Sequence, residues 1–323
     1  MKHSIALVTG TTSGLGQAAA RILGATGYRE VIVTGRSLTR TQETAARLAA
    51  ETGAHVFQPL ALDLDSPPSV QSALAELVKR GQAIDFLLLN AGMVPGKKRV
   101  LTAAGVEASE APLIGHHQLT VGLLNAGLLS PNARIVIAGA EPARGGVPMF
   151  SYTDLPAFAA MYHHGDRTAA VESLLRSGPN VKYAPNRAYA DAKLIIAWWT
   201  AALARRLPAG MAVYAVSPGS ATSTEVVRNA GPALRYLMIP LVNLIPGMNQ
   251  RPETAARRYL QASEFGTDVS GLFFASAQGK LTGPIQVQRQ PHLHDRDSQE
   301  AAWQAVVKVS GVDLSSGSIS AVS

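Results

Sequence analysis

Thr9-Gly10-Thr11-Thr12-Ser13-Gly14-Leu15-Gly16 lies between the apolar run Ile5–Val8 and an alanine-rich stretch with helical spacing, Gln17–Leu23. Glycines at 10, 14 and 16 allow a tight turn and let backbone approach a pyrophosphate. A helix starting there aims its unpaired N–H groups and positive dipole end at the same anion. A glycine-rich loop alone reads equally well as a flexible turn. The strand before it and the helix after it supply the context that a dinucleotide site needs.

The same alternation continues outward. Val31–Thr34, Val56–Leu62, Ile84–Leu89, Ile135–Ile137 and Met211–Val216 read as buried strands. Arg40–Glu51 and Ser69–Arg80 have helical spacing between them. This order predicts an α/β fold: a doubly wound, Rossmann-type, mostly parallel sheet with helices on both faces, in one domain over 1–312. After Ala140 the rhythm fails, and 141–185 reads as a long insert with a weak helical signal at Thr168–Arg176. A helix from Asn186 to Arg206, an apolar Pro/Gly-studded stretch at 225–250, a helix at Glu253–Glu264, a strand at Leu272–Ala275 and a closing helix at Gln299–Val309 follow. The polar end, 313–323, is expected to be disordered.

Composition removes several classes of function. Of 323 residues, 47% are hydrophobic and 16% charged, so the chain can bury a core and is not disordered throughout. The absence of cysteine excludes disulfides, thiolate metal sites and a cysteine nucleophile. The net charge of +7 invites a nucleic-acid partner. The basic residues are scattered, however, and Lys97-Lys98-Arg99, their longest run, has no interleaved aromatics, so no nucleic-acid partner is expected. Ile5–Val8 is too short for a signal-peptide core, and Tyr236–Pro246 is broken by Pro240, Asn243 and Pro246. No integral membrane segment is expected, and the location is read as cytoplasmic. His116-His117, His163-His164 and the pair His292 and His294 lack ligand spacing with carboxylates, so no metal site is expected.

Other residues specify the cofactor chemistry. Where the second strand ends, Arg36-Ser37 stand in place of the acid that would bond a ribose 2′-hydroxyl; an arginine suits a 2′-phosphate, which favours NADP(H) over NAD(H). Asp63, followed by Leu64, could accept from an adenine amino group, and Asn90-Ala91-Gly92 sets small residues where backbone passes a ligand. Tyr189 and Lys193, four apart, share one helix face. A neighbouring ammonium is expected to lower the tyrosine pKa and make it a usable proton donor and acceptor.

TGTTSGLG, LDLD, NAG, YADAK and Val216-Ser217-Pro218-Gly219 together resemble the short-chain dehydrogenase/reductase family over residues 3 to 224. LTAAGVE, Ile114-Gly115-His116-His117, Phe274-Ala275-Ser276 and Trp303 resemble its retinol-dehydrogenase-type branch. The resemblance implies that Gly10, Thr12, Ser13, Gly14, Leu15 and Gly16 line the cofactor, with Asp63 and Leu64 at the adenine and Asn90, Ala91 and Gly92 near the ribose. It implies that Tyr189 exchanges the proton, that Lys193 holds the nicotinamide ribose, and that Pro218, Gly219 and one of Thr222, Ser223 or Thr224 face the nicotinamide.

Two positions depart from the family pattern. Ala140 stands where the family has its catalytic serine, and the family asparagine aligns with Pro112 or Leu113. Ser151, Tyr152, Thr153, Glu141 or Asn186 could substitute, or Tyr189 could suffice. The expected function is hydride transfer between nicotinamide and a carbonyl or alcohol. The other reading is an NADP-binding protein that has lost redox turnover. Met149, Phe150, Tyr152, Phe158, Met161 and Tyr162 in the insert, with the apolar Val226–Met248 as a lid, imply a small hydrophobic substrate. Trp198-Trp199 suit the core or a subunit contact, so a homodimer is compatible with the sequence.

Overall fold

The apolar runs pair into one sheet in the computed structural model, which describes residues 4–220 and 250–315. Thr222, Ser223, Thr224 and the expected lid, Gln250 excepted, lie outside the described residues. In chain order the elements are β1 (Ile5–Val8), α1 (Gly14–Ala25), β2 (Glu30–Gly35), α2 (Leu38–Thr52), β3 (Phe57–Ala61), α3 (Pro67–Arg80) and β4 (Ile84–Leu89). Then come α4 (Ala111–Asn125), β5 (Leu129–Ala138), α5 (Leu155–Tyr162), α6 (Arg167–Arg176), α7 (Pro185–Ala204) and β6 (Ala212–Val216). After the gap follow α8 (Pro252–Ala262), β7 (Phe273–Ala275), β8 (Gln286–Val287) and α9 (Arg296–Ser310).

The strands lie in the order β3-β2-β1-β4-β5-β6-β7-β8. Every neighbouring pair is parallel except β7 with β8. The chain runs outward from β1 through β2 to β3, then returns to place β4 on the other side of β1. That reversal opens a crevice at the carboxyl ends of β1 and β4, where doubly wound sheets take their ligands. Both faces are covered, so the strands are apolar on both sides. Ile5, Leu7, Leu87 and Leu89 pack under α3, α4, α7 and α9, while Ala6, Val8, Phe86 and Leu88 pack under α1, α2 and α8.

The 141–185 segment contains more helix than its periodicity suggests. A 3-10 turn at Glu141–Arg144 leads to α5 and α6, whose first turns are capped by Asp154 and Asp166 accepting from Ala157 N and Ala169 N. The eight-residue α5 is apolar on every side and offers no stripe to read. The same holds for α4, in which nearly every residue is buried. After α9 the chain runs along α4, where the Asn125 side chain donates to Asp313 O at 3.0 Å and accepts from Ser315 N at 2.9 Å. Trp198 and Trp199 are core residues: their indole N–H groups donate to His292 O and His117 Nδ1. Among the described residues no helix is long and apolar enough to cross a membrane.

Candidate active site

The Thr9–Gly16 loop lies at the crevice because several of its bonds fix it there. Thr11 donates to Thr34 O through its N–H (2.9 Å) and its hydroxyl (3.0 Å), and Gly10 N donates to Thr34 Oγ1. Thr12 packs over Gly35. A side chain on Gly16 would place a carbon 2.3 Å from Gly10 O and 2.5 Å from Asn90 Nδ2, so only glycine lets α1 start this close to the loop. Ser13, at the N-cap, makes no side-chain cap bond. Gly14 and Leu15 begin α1 beside it, partly exposed. The helix start thus keeps free N–H groups toward the crevice.

At the next strand ends, Ser37 caps α2 by accepting from Arg40 N at 3.5 Å. Arg36 is exposed and makes no ion pair among the described residues. Asp63 donates its N–H to Ser69 Oγ and accepts from Asp65 N. The carboxyl of Asp65 is raised by burial and by Asp63 and lowered by Arg36, so all three share one corner. Leu64 lies against α4 at Gly115, where an added side chain would meet Leu64 O at 2.3 Å.

Asn90 donates its amide to Thr9 O at 3.0 Å, and Ala91 N donates to Thr9 Oγ1 at 2.9 Å, which is in turn 2.9 Å from His116 Nε2. Gly92 follows, exposed, and an added side chain there would lie 3.9 Å from Lys193 Nζ. Pro218 O accepts from the Gln250 amide, and Gly219 has a left-handed φ of 79° with Arg258 and Leu281 crowding it.

Tyr189 and Lys193 share the face of α7 turned toward the end of β5. Lys193 Nζ donates to Ala138 O at 2.8 Å and stands 5.7 Å from the Tyr189 ring centre. Burial brings the Lys193 ammonium down to about 8, opposed by Glu110. Tyr189 differs from expectation. Burial, and after it the Glu141 carboxylate, holds its hydroxyl above the ordinary phenol value.

Ala140 is 7% exposed at the end of β5 and offers no hydroxyl. Most of the proposed replacements for serine are occupied. Thr153 binds Asp191 through its N–H (2.6 Å) and hydroxyl (2.9 Å). Tyr152 OH is bonded to His292 Nδ1, and the Asn186 amide donates to Met149 O. Glu141 accepts from Ser217 Oγ and Ser276 Oγ and pairs with Arg258 at 3.5 Å. Ser151 is exposed and unbonded among the described residues, and Phe150 stacks toward Tyr189 at 6.0 Å between ring centres.

Sequence reading missed the roles of His116, Glu110 and the Glu141–Arg258 pair. His116 and Glu110 sit in or beside α4, which is buried on nearly every side and has no polar face to read, and Arg258 looks like an ordinary charged helix residue. The only available signal was Glu141 directly after Ala140. His117, His292 and His294 bond to Val312 O, Ala143 O and Gln288 O, and no group of three metal-ligating side chains occurs among the described residues.

A family model described as short chain dehydrogenase matches residues 4–140. The WW domain-containing oxidoreductase of Drosophila melanogaster is 29% identical over 273 residues, covering 83% of this chain; the chain spans 61% of that protein's length. Human retinol dehydrogenase 13 is 26% identical over 315 residues, 96% of this chain and 85% of the relative. In fold, the chain is similar to a crystal structure of a short chain dehydrogenase from Burkholderia cenocepacia in complex with NADP (TM-score 0.58, 23% identity, 84% and 94% covered). Loop, NAG turn and tyrosine–lysine helix meet at one crevice within that fold, and over its first 140 residues the chain is similar to the short chain dehydrogenases, with retinol-dehydrogenase-like proteins among its relatives.

Proposed function

We propose that this chain is an NADP(H)-dependent oxidoreductase acting on a carbonyl or alcohol of a hydrophobic substrate. The observation that carries the reading is the convergence of Tyr189 and Lys193 on the end of β5, next to Asn90-Ala91-Gly92. The residues fit the cofactor. Gly10 and Gly16 leave no room for side chains, the uncapped start of α1 suits a pyrophosphate, and Arg36, exposed and without an ion pair among the described residues, suits a 2′-phosphate. Asp63 and Leu64 would take the adenine, Asn90 and Ala91 the ribose, and Pro218 and Gly219 the nicotinamide, with Thr222 as a further contact. Bound there, NADP(H) supplies the hydride.

Tyr189 donates its hydroxyl proton to the substrate oxygen in reduction and takes it back in oxidation. Lys193 holds the ribose and stabilises the phenolate. The Phe150 ring beside Tyr189 and the exposed Met149 give the substrate an apolar wall. Tyr189→Phe should abolish oxidation of NADPH by lipophilic ketones while sparing NADPH binding; unchanged turnover would sink the assignment.

Ala140 favours a second reading, a cofactor-binding protein without redox turnover. Restoring a donor by Ala140→Ser separates the two. On the first reading it raises the turnover of a simple hydrophobic ketone, by up to about 100-fold. On the second, NADPH binds tightly and neither form consumes it.

A further inference from the structure

Residues 149–153 of the insert straddle the start of α7. Asp191 stands two residues after Tyr189, about 200° round the helix, so the two side chains leave opposite faces. On one face, the Phe150 ring lies 6.0 Å from the Tyr189 ring between centres. On the other, Asp191, 5% exposed, takes both donors of Thr153: Oδ1 accepts from its N–H at 2.6 Å and Oδ2 from its hydroxyl at 2.9 Å. Asn186, three residues before Tyr189 and on the same face, donates its amide to Met149 O at 3.1 Å.

These bonds hold a segment that local preference alone would not. Gly145 and Gly146 have left-handed φ values of 78° and 70°, and Met149 has one of 66°, a conformation that side chains disfavour. Met149 is 85% exposed, so packing of its side chain does not offset the strain. Before the glycines, Arg144 donates to Ser276 O and Lys280 O. After Thr153, Asp154 caps α5 by accepting from Ala157 N. The wall is anchored at both ends, and a buried carboxylate fixes its last residue through two charge-assisted bonds.

We propose that Asp191 is a positioning residue that sets substrate selectivity: by clasping Thr153 across α7, it holds the Phe150 ring beside Tyr189. The inference rests on the reductase reading above and deepens it. Tyr189 moves the proton, and the clasp behind it decides which carbonyl compounds meet that proton in a fixed pose. An aromatic ring held in one place packs on a flat apolar group. The substrate class is therefore a ketone or aldehyde with an aromatic or other planar apolar substituent next to the carbonyl. A small ketone reaches Tyr189 without needing the ring and is indifferent to the clasp.

Two measurements on the full chain test this. With 4-fluorophenylalanine in place of Phe150, fluorine NMR reads the surroundings of the ring. Asp191→Ala should move the resonance toward its position in the unfolded chain. Asp191→Asn should restore it, because an amide oxygen still accepts from Thr153 N–H and the amide N–H can bond the hydroxyl. In turnover with NADPH, Asp191→Ala should raise KM for acetophenone about tenfold and leave KM for butanone and NADPH affinity unchanged, with Asp191→Asn close to the wild type. Where Asp191→Ala does not fold, Thr153→Val, which keeps the N–H bond and loses the hydroxyl, should shift both readings the same way by less. An unmoved resonance, or equal rises in KM for both ketones, overturns the proposal. A wild type that turns over neither ketone defeats the reductase reading instead, and the fluorine spectrum still decides whether Asp191 holds the ring.

Discussion

The imidazole of His116 lies 2.9 Å from the Thr9 hydroxyl, buried beneath the point where β1 and β4 release their chains. Thr9 Oγ1 also accepts from Ala91 N, so one hydroxyl joins the glycine loop, the NAG turn and α4. Thr9→Val keeps the shape and strands both partners in a dry site. It should cost about 1–3 kcal/mol in urea unfolding and weaken NADPH binding. Unaltered NADPH affinity would show that the junction positions nothing.

Burial also gives the helix a pH dependence. His116 falls to about 3 and His117 to about 4, against roughly 6.5 in the unfolded chain. Between those values the unfolded chain binds protons that the folded chain refuses. Stability is therefore complete above about pH 6.5 and declines as pH falls toward 4. The slope should approach about 1.4 kcal/mol per pH unit for each histidine. His117 donates to Val312 O and accepts from Trp199, so His117→Gln should flatten the curve of denaturation midpoint against pH.

Lys193 carries an opposite tension between stability and activity. Its folded value of about 8 lies below the ordinary lysine value, so the folded chain resists its charge. Below pH 8 the whole penalty is present, and it is relieved as pH rises through 8 toward the unfolded value. Lys193→Met should therefore stabilise the fold at pH 7 by on the order of 1–3 kcal/mol, read as a higher melting temperature, while losing turnover. A variant less stable than the wild type would mean that the Ala138 bond outweighs desolvation.

Arg36 decides the cofactor. An exposed guanidinium with no ion pair among the described residues gains a charge-assisted bond when a 2′-phosphate arrives. Arg36→Ala should weaken NADPH at least about tenfold and leave NADH unchanged, as read by fluorescence titration. Equal losses for both would remove the phosphate role.

The β-α-β frame was legible because buried parallel strands are short apolar runs and their partner helices carry one polar face, as in α2 and α3. The loop, NAG and YADAK were legible because each chemistry demands its residues at fixed spacing. Helices α4 and α5 escaped notice for the opposite reason, since α4 is buried on nearly every side and α5 is apolar throughout, and neither has a polar face to give a period. Pairings over long separations, such as Glu141 with Arg258 or Thr9 with His116, leave no local trace. The Tyr189 hydroxyl shows the same limit in electrostatics: spacing reveals the lysine four residues on, but not the burial and the Glu141 charge that hold the hydroxyl above its ordinary value.

That charge can be removed. Glu141 is 4% exposed and Arg258 5%, and around them Ser217, Ser276 and Gly283 complete a network joining the ends of β5, β6 and β7. Glu141→Gln leaves the Arg258 guanidinium buried without its counter-charge, which should cost about 3–5 kcal/mol in chemical denaturation. Glu141→Gln combined with Arg258→Met removes both charges and should recover most of that loss, because a buried pair gains little over apolar packing. The double variant also isolates the effect on chemistry. With the neighbouring carboxylate gone, the Tyr189 hydroxyl drops toward its ordinary value, and the alkaline limb of the turnover profile should move to lower pH. A double variant that regains stability with an unmoved limb would assign the network to holding the strand ends alone.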